Sequence, residues 1–218
     1  MAHKALAEHR PWLLLSLLAA VTYFFVMDEE IGGAWLMIWK GAGVGFLAIY
    51  AATRGKGTDG LLIAAVMAIA ACADVALEIS FLLGGGLFAL SHLVAIALYL
   101  RNRRSKTSLS QRLAGIALVL LPAVIAALMT RPLPNWELAT AYSGLVGLMA
   151  AAAWTSRFPR YRVGIGAVMF VASDLLIFAR ESQTLPGELT EWFIWPLYYA
   201  AQFLIVTGVV QTLRGPKG

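Results

Sequence analysis

Two aspartates stand where a carboxylate is costly. Asp174 lies inside VGIGAVMFVASDLLIFAR (163–180), and Asp74 lies inside the apolar run 60–80. An Asp at the centre of a membrane helix costs roughly 3 kcal/mol, whereas a Leu or Val returns only about 0.3–0.6. Carboxylates kept at that cost face protein or water rather than lipid, and they mark functional sites. Lys40 is also set within an apolar run, so two acids face one base. A surplus negative charge remains unless one carboxyl keeps a proton. Desolvation and like-charge proximity both favour the protonated form, and a proton shared by two carboxyls is what acid–base chemistry uses.

Other polar side chains gather in the same runs: Glu78, Ser91, His92, Tyr142, Tyr198, Tyr199 and Gln202. Each also has a structural reading. Lys40 can serve only as the counter-ion of one aspartate, and His92 can be a packing histidine. Tyr198 and Tyr199 can belong to an interfacial aromatic belt. Gln202 can join helices by a hydrogen bond, and Glu78 can be solvated at a span end.

The elements that hold these residues are membrane helices. The chain has 218 residues, 60% of them hydrophobic and 13% charged, with mean hydropathy +0.76. A soluble domain needs a far more polar surface. The net charge of +5 does not point to nucleic acid, because the cations lie in short loops between apolar runs. The single Cys72 excludes an intramolecular disulfide, and no Cys/His spacing or phosphate-binding loop occurs, so no metal or other cofactor is expected.

The expected fold is an all-α polytopic membrane protein forming one domain, 1–218. Its eight spans fall at about 12–27, 31–52, 60–80, 87–100, 113–130, 136–154, 163–180 and 192–213. Such lengths suit a hydrocarbon core of about 30 Å. Gly84-Gly85-Gly86 is read as a break before span four, and Pro122 as a kink. Lys4 and Arg10 precede the first span, which is read as uncleaved because no small-residue cleavage site comes before Asp28-Glu29-Glu30. Eight spans put fourteen of the 17 Lys and Arg on the side of both termini, which is therefore expected to be cytoplasmic. The expected location is a bacterial inner membrane. AVMAIAACAD (65–74) and AVMFVASD (167–174) hint at a four-plus-four parallel repeat.

With directions assigned, depth follows at 1.5 Å per residue. Lys40, Asp74, His92, Tyr142, Asp174 and Tyr198 fall roughly 9–15 Å below the non-cytoplasmic surface, and Gln202 somewhat deeper. Trp195, Tyr198 and Gln202, at i, i+3 and i+7, share a face, and Glu78 is one turn from Asp74.

At these residues the sequence resembles the YhhN-type lysoplasmalogenase family of integral membrane proteins. The resemblance rests on Lys40, ADVAL (73–77), FALSHLVAIALY (88–99), GAVMFVASDLLIFAR (166–180) and YYAAQFLI (198–205). Ala73 departs from the glycine common in the family. The resemblance implies eight spans and hydrolysis of the vinyl ether bond of lysoplasmalogens to a fatty aldehyde and glycerophosphocholine or glycerophosphoethanolamine. It implies Asp74 and Asp174 as catalytic carboxylates, and Lys40, His92, Tyr198 and Gln202 as pocket residues. A lysophospholipid and membrane lipids are then the partners. A vinyl ether is cleaved by protonation of its β-carbon, which needs a carboxylic acid, followed by addition of water to the oxocarbenium ion. Two other readings remain open: a proton-coupled transporter that uses the buried Asp and Lys, and a non-catalytic lipid-binding or assembly protein.

Overall fold

A computed structural model describes residues 11–27 and 33–215. The expectations for Lys4, Arg10, Asp28, Glu29, Glu30 and Lys217 lie outside the described residues. Among the described residues the fold is all-helical, with 86% of them in helices. The elements are α1 (Pro11–Val26), α2 (Ala34–Arg54), α3 (Gly57–Leu77), α4 (Phe81–Arg101), α5 (Leu109–Thr130), α6 (Trp136–Thr155), α7 (Ile165–Glu181) and α8 (Gly187–Arg214). A five-residue π-helical turn, Arg160–Gly164, leads into α7.

Seven of these helices, α7 being taken with its π-turn as Arg160–Glu181, are long and apolar enough to cross a membrane. α1 is apolar but 16 residues long among the described residues, about 24 Å at 1.5 Å per residue. Large apolar side chains such as Leu18, Leu82, Leu121 and Leu128 are more than half exposed, whereas Asp74, His92 and Gln202 are buried. That inversion fits lipid rather than water as the outer solvent. The chain is built as an integral multi-pass membrane protein.

The helices form two compact units, one reaching Ser91 and the other spanning His92–Thr212. In the first, small residues let backbones meet. A Cβ on Gly41 would lie 2.7 Å from Val75 Cγ2 and 3.1 Å from the Ala71 carbonyl, so α2 presses onto α3 there. Ser16 donates to the Gly43 carbonyl at 2.6 Å, and the Trp39 indole donates to Thr22 at 3.0 Å, tying α1 to α2.

The expected glycine break is corrected here. α4 runs unbroken through Gly84, Gly85 and Gly86 from Phe81. The turn lies earlier, at Glu78–Ser80. There the Ser80 hydroxyl accepts from Leu83 N–H at 3.3 Å, an N-cap. Gly84 serves contact rather than bending, since a Cβ would meet Leu77 Cγ at 2.5 Å and Leu77 N at 2.7 Å.

In the second unit α5 begins four residues before the expected 113. Ser108 and Gln111 form a capping box, which makes the basic loop shorter and draws Arg112 into the helix. Pro122 leaves the Leu118 carbonyl without its helical N–H. Gly147 of α6 comes against that carbonyl so closely that a Cβ would be 2.3 Å from it. Likewise α8 starts at Gly187 rather than 192 and is 28 residues long. The Ser173 hydroxyl donates to the Ile194 carbonyl at 3.0 Å, joining α7 to α8.

Between α4 and α5, and between α6 and the π-turn, two basic segments pair. Arg103 and Ser156 form an isolated antiparallel bridge. Arg104 N–H donates to the Thr155 carbonyl at 3.3 Å, and Arg157 N–H donates to the Asn102 carbonyl at 2.8 Å. The guanidinium Nε of Arg104 donates to the Ser156 carbonyl at 2.9 Å, and that of Arg157 to Asn102 Oδ1 at 2.5 Å.

Candidate functional site

In the second unit three helices bring their polar side chains to one point. α7 carries Asp174, α6 carries Tyr142 and α4 carries His92. The Tyr142 hydroxyl donates to Asp174 Oδ2 at 3.0 Å and lies 3.4 Å from His92 Nε2. One hydroxyl therefore touches both an acid and an imidazole. When its proton points to Asp174, the His92 contact requires the tautomer with hydrogen on Nε2. When Asp174 carries the proton and gives it to the phenol oxygen, the phenol can donate to Nε2 instead. The trio can thus pass a proton along two hydrogen bonds by rotating one O–H.

Aromatic rings enclose this trio. The Phe170 ring meets the His92 ring edge-on, centroids 4.8 Å apart at 87°, and the Tyr198 ring at 5.4 Å and 76°. The Phe178 ring packs on Tyr142 at 6.2 Å. Edge-to-face pairs at these separations hold ring orientation. Phe170, Asp174 and Phe178 are four residues apart in turn, so one face of α7 presents a carboxyl between two rings. Trp195 stands 5.7 Å from Tyr198 and is stacked on Tyr199 at 6.3 Å and 20°. The Gln202 amide donates to the Tyr198 hydroxyl at 3.4 Å. Asp174 is 8% exposed, and His92, Tyr198, Tyr199 and Gln202 are buried too. The face expected from Trp195, Tyr198 and Gln202 is thus a buried one.

Phe170, Phe178 and Ser173 were absent from the residues picked out by sequence. For Phe170 and Phe178 the i, i+4, i+8 spacing around Asp174 was the available signal.

In the first unit Asp74 is 2% exposed on α3. One turn on, Glu78 pairs with Lys40 at 2.5 Å. Lys40 thus pairs with Glu78, which caps the C-terminal end of α3 with its side chain partly exposed, as expected of an acid at a span end. The cause is the close crossing at Gly41, which carries Lys40 past Val75 to the α3 terminus. Ser91 is used in packing, its hydroxyl donating to the Val66 carbonyl at 3.0 Å. Among the described residues no three His, Cys, Asp or Glu side chains cluster to hold a metal.

The profile of the YhhN family matches residues 35–209. The chain belongs to the YhhN family. All ten candidate residues of this YhhN chain, from Lys40 to Gln202, fall within the matched stretch. No curated protein and no solved structure matches it.

Proposed function

We propose that this YhhN protein is an intramembrane hydrolase that cleaves the vinyl ether bond of lysoplasmalogens. The products are a fatty aldehyde and glycerophosphocholine or glycerophosphoethanolamine. Family membership supports a hydrolase of this type. The observation that carries the reading is the Tyr142 hydroxyl joining Asp174 to His92 inside a cage of aromatic rings.

In this reading Asp174, as the carboxylic acid, gives its proton to the β-carbon of the vinyl ether. The C=C π electrons form the new C–H bond, and the positive charge settles on the ether carbon and oxygen. The rings of Phe170 and Tyr198 offer π faces to that cation. Water adds to the oxocarbenium carbon and loses a proton to a carboxylate, giving a hemiacetal. As the hemiacetal C–O bond breaks, its hydroxyl proton passes to the departing oxygen, releasing aldehyde and alcohol. The proton given up by the water is passed through His92 and Tyr142 back to Asp174, so every group ends the turnover as it began. Asp74 is assigned the second carboxylate, stabilising the cation or activating the water. Lys40, Gln202, Tyr198 and Tyr199 are pocket residues, and no cofactor is invoked.

The test is fatty aldehyde release from a lysoplasmalogen by the purified protein. Asp174→Asn and Asp74→Asn should each lower turnover at least about a hundred-fold, the scale of general acid–base catalysis, with expression unchanged. Full turnover in either variant removes that residue from the mechanism.

A second reading, proton-coupled transport, draws on the same trio, because hydrogen-bonded groups on three helices are also what a proton relay needs. Substrate-driven proton uptake by proteoliposomes, with no aldehyde formed from any plasmalogen, would select it.

A further inference from the structure

We propose that the second unit binds an anionic phospholipid, one alkyl chain lying in a groove between α5 and α7 and the phosphate resting at Arg160 and Trp154. The site uses none of Asp174, Tyr142 or His92, so it stands whether or not the hydrolase reading does.

The groove has a volume of about 310 Å³ and is walled by Ala117, Leu121 and Ile125 of α5 and by Val168 and Leu175 of α7, with Trp154 at its side. Its walls offer almost nothing polar. From Val168 to Leu175 it extends about 10 Å along α7. An elongated apolar channel of that length suits a stretch of hydrocarbon chain.

Its end near Trp154 and Val168 adjoins the basic segments. The Arg160 guanidinium stands over the Trp154 ring, 5.6 Å from the centroid. The π-turn and Gly164 build this arrangement. A Cβ on Gly164 would lie 2.8 Å from Trp154 Cε3 and 3.1 Å from Arg160 Cγ, so only glycine leaves room for both. Arg160 Nε and Trp154 Nε1 are covered by protein and have no hydrogen-bond partner. Trp154 lines the groove and Arg160 packs on its ring, so two unpaired N–H donors stand beside it.

The surroundings select a negative acceptor. Segments 101–112 and 156–162 contain Arg103, Arg104, Lys106 and Arg162 and not one Asp or Glu. Arg104 is tied to the Ser156 carbonyl, so part of this charge is held in place. Basic clusters beside membrane helices are where anionic headgroups dock. A free phosphate leaves the groove empty, and a zwitterionic or neutral lipid leaves the charge unanswered. Chain and anionic phosphate together fit both halves.

The test uses the full-length protein, delipidated in non-ionic detergent and offered equal amounts of phosphatidylglycerol and phosphatidylcholine. Lipid retained per protein is read by native mass spectrometry. Phosphatidylglycerol should be enriched about five-fold, the factor that one Arg near an anionic surface contributes. Arg160→Gln should bring the ratio close to one, and Val168→Trp, which fills the groove, should lower retention of both lipids. If Arg160→Gln fails to give folded protein, Trp154→Phe keeps the ring, deletes the N–H and should lower the enrichment in its place. Equal retention of the two lipids by the wild type would mean ordinary boundary lipid and overturn the proposal. So would enrichment that survives both Arg160→Gln and Val168→Trp, or enrichment abolished by millimolar inorganic phosphate alone.

Discussion

Replacing Tyr142 with Phe is the sharpest probe of the buried trio. The ring and its contact with Phe178 remain, and only the hydroxyl between Asp174 and His92 is removed. A hydrogen bond to a charged group contributes about 1.5–3 kcal/mol. At 1.36 kcal/mol per factor of ten, losing it from the reacting arrangement lowers turnover about 10- to 150-fold. Structural loss should be smaller in effect, because Phe conserves the packed volume. The assay is aldehyde release over a range of substrate concentrations, with thermal unfolding in the same detergent as the control for folding. The expected result is a fall in kcat at a nearly constant KM. A second measurement asks whether Tyr142 acts as the link. His92→Ala in the wild-type background should cost more than His92→Ala in the Tyr142→Phe background, with a coupling of about 1 kcal/mol or more between residues in one hydrogen-bond network. Turnover within two-fold of wild type, or strictly additive losses, would refute the relay.

Three further predictions concern the framework. Gly147→Ala should destabilise by about 1–3 kcal/mol, the usual cost of overpacking, because its Cβ would press on the Leu118 carbonyl; chemical or thermal unfolding reads this. Gly85→Ala should instead leave stability unchanged or raise it by up to about 1 kcal/mol, since a Cβ there meets nothing within 4 Å and helix interiors favour Ala; marked destabilisation would restore a break at the triple glycine. Lys40→Met and Glu78→Gln should each lower the unfolding temperature slightly, and the Lys40→Glu/Glu78→Lys exchange should recover most of the loss. Glu78 is 38% exposed on its side chain, so the pair is expected to contribute no more than about 1 kcal/mol.

The sequence showed where the apolar runs lie, because hydropathy depends on composition alone. It also showed the buried face of Trp195, Tyr198 and Gln202, because that spacing lies within one helix. It misled at Gly84-Gly85-Gly86. Glycine that bends a chain and glycine that admits a neighbour look alike until Leu77 is seen against Gly84. The partner of Lys40 was out of reach for a related reason. Asp74 and Glu78 lie one turn apart on α3, and depth counting cannot say which of them the Lys40 ammonium meets. The bond from Tyr142 to Asp174 depends on the rotation of α6 and α7 about their axes, which no single-sequence pattern records. Phe170 was passed over because a phenylalanine in an apolar run reads as lipid-facing unless its spacing from a carboxyl is weighed.

The paired segments around Asn102–Arg104 and Thr155–Arg157 bear on how the polypeptide can be cut. The two segments are stitched by main-chain hydrogen bonds and by the side chains of Arg104 and Arg157. Scission after Ser105 would leave Asn102–Arg104 on one fragment and Thr155–Arg157 on the other, with every one of those stitches intact. Two co-expressed pieces divided at that point are therefore expected to reassemble and co-purify, which would let each half be isotope-labelled separately.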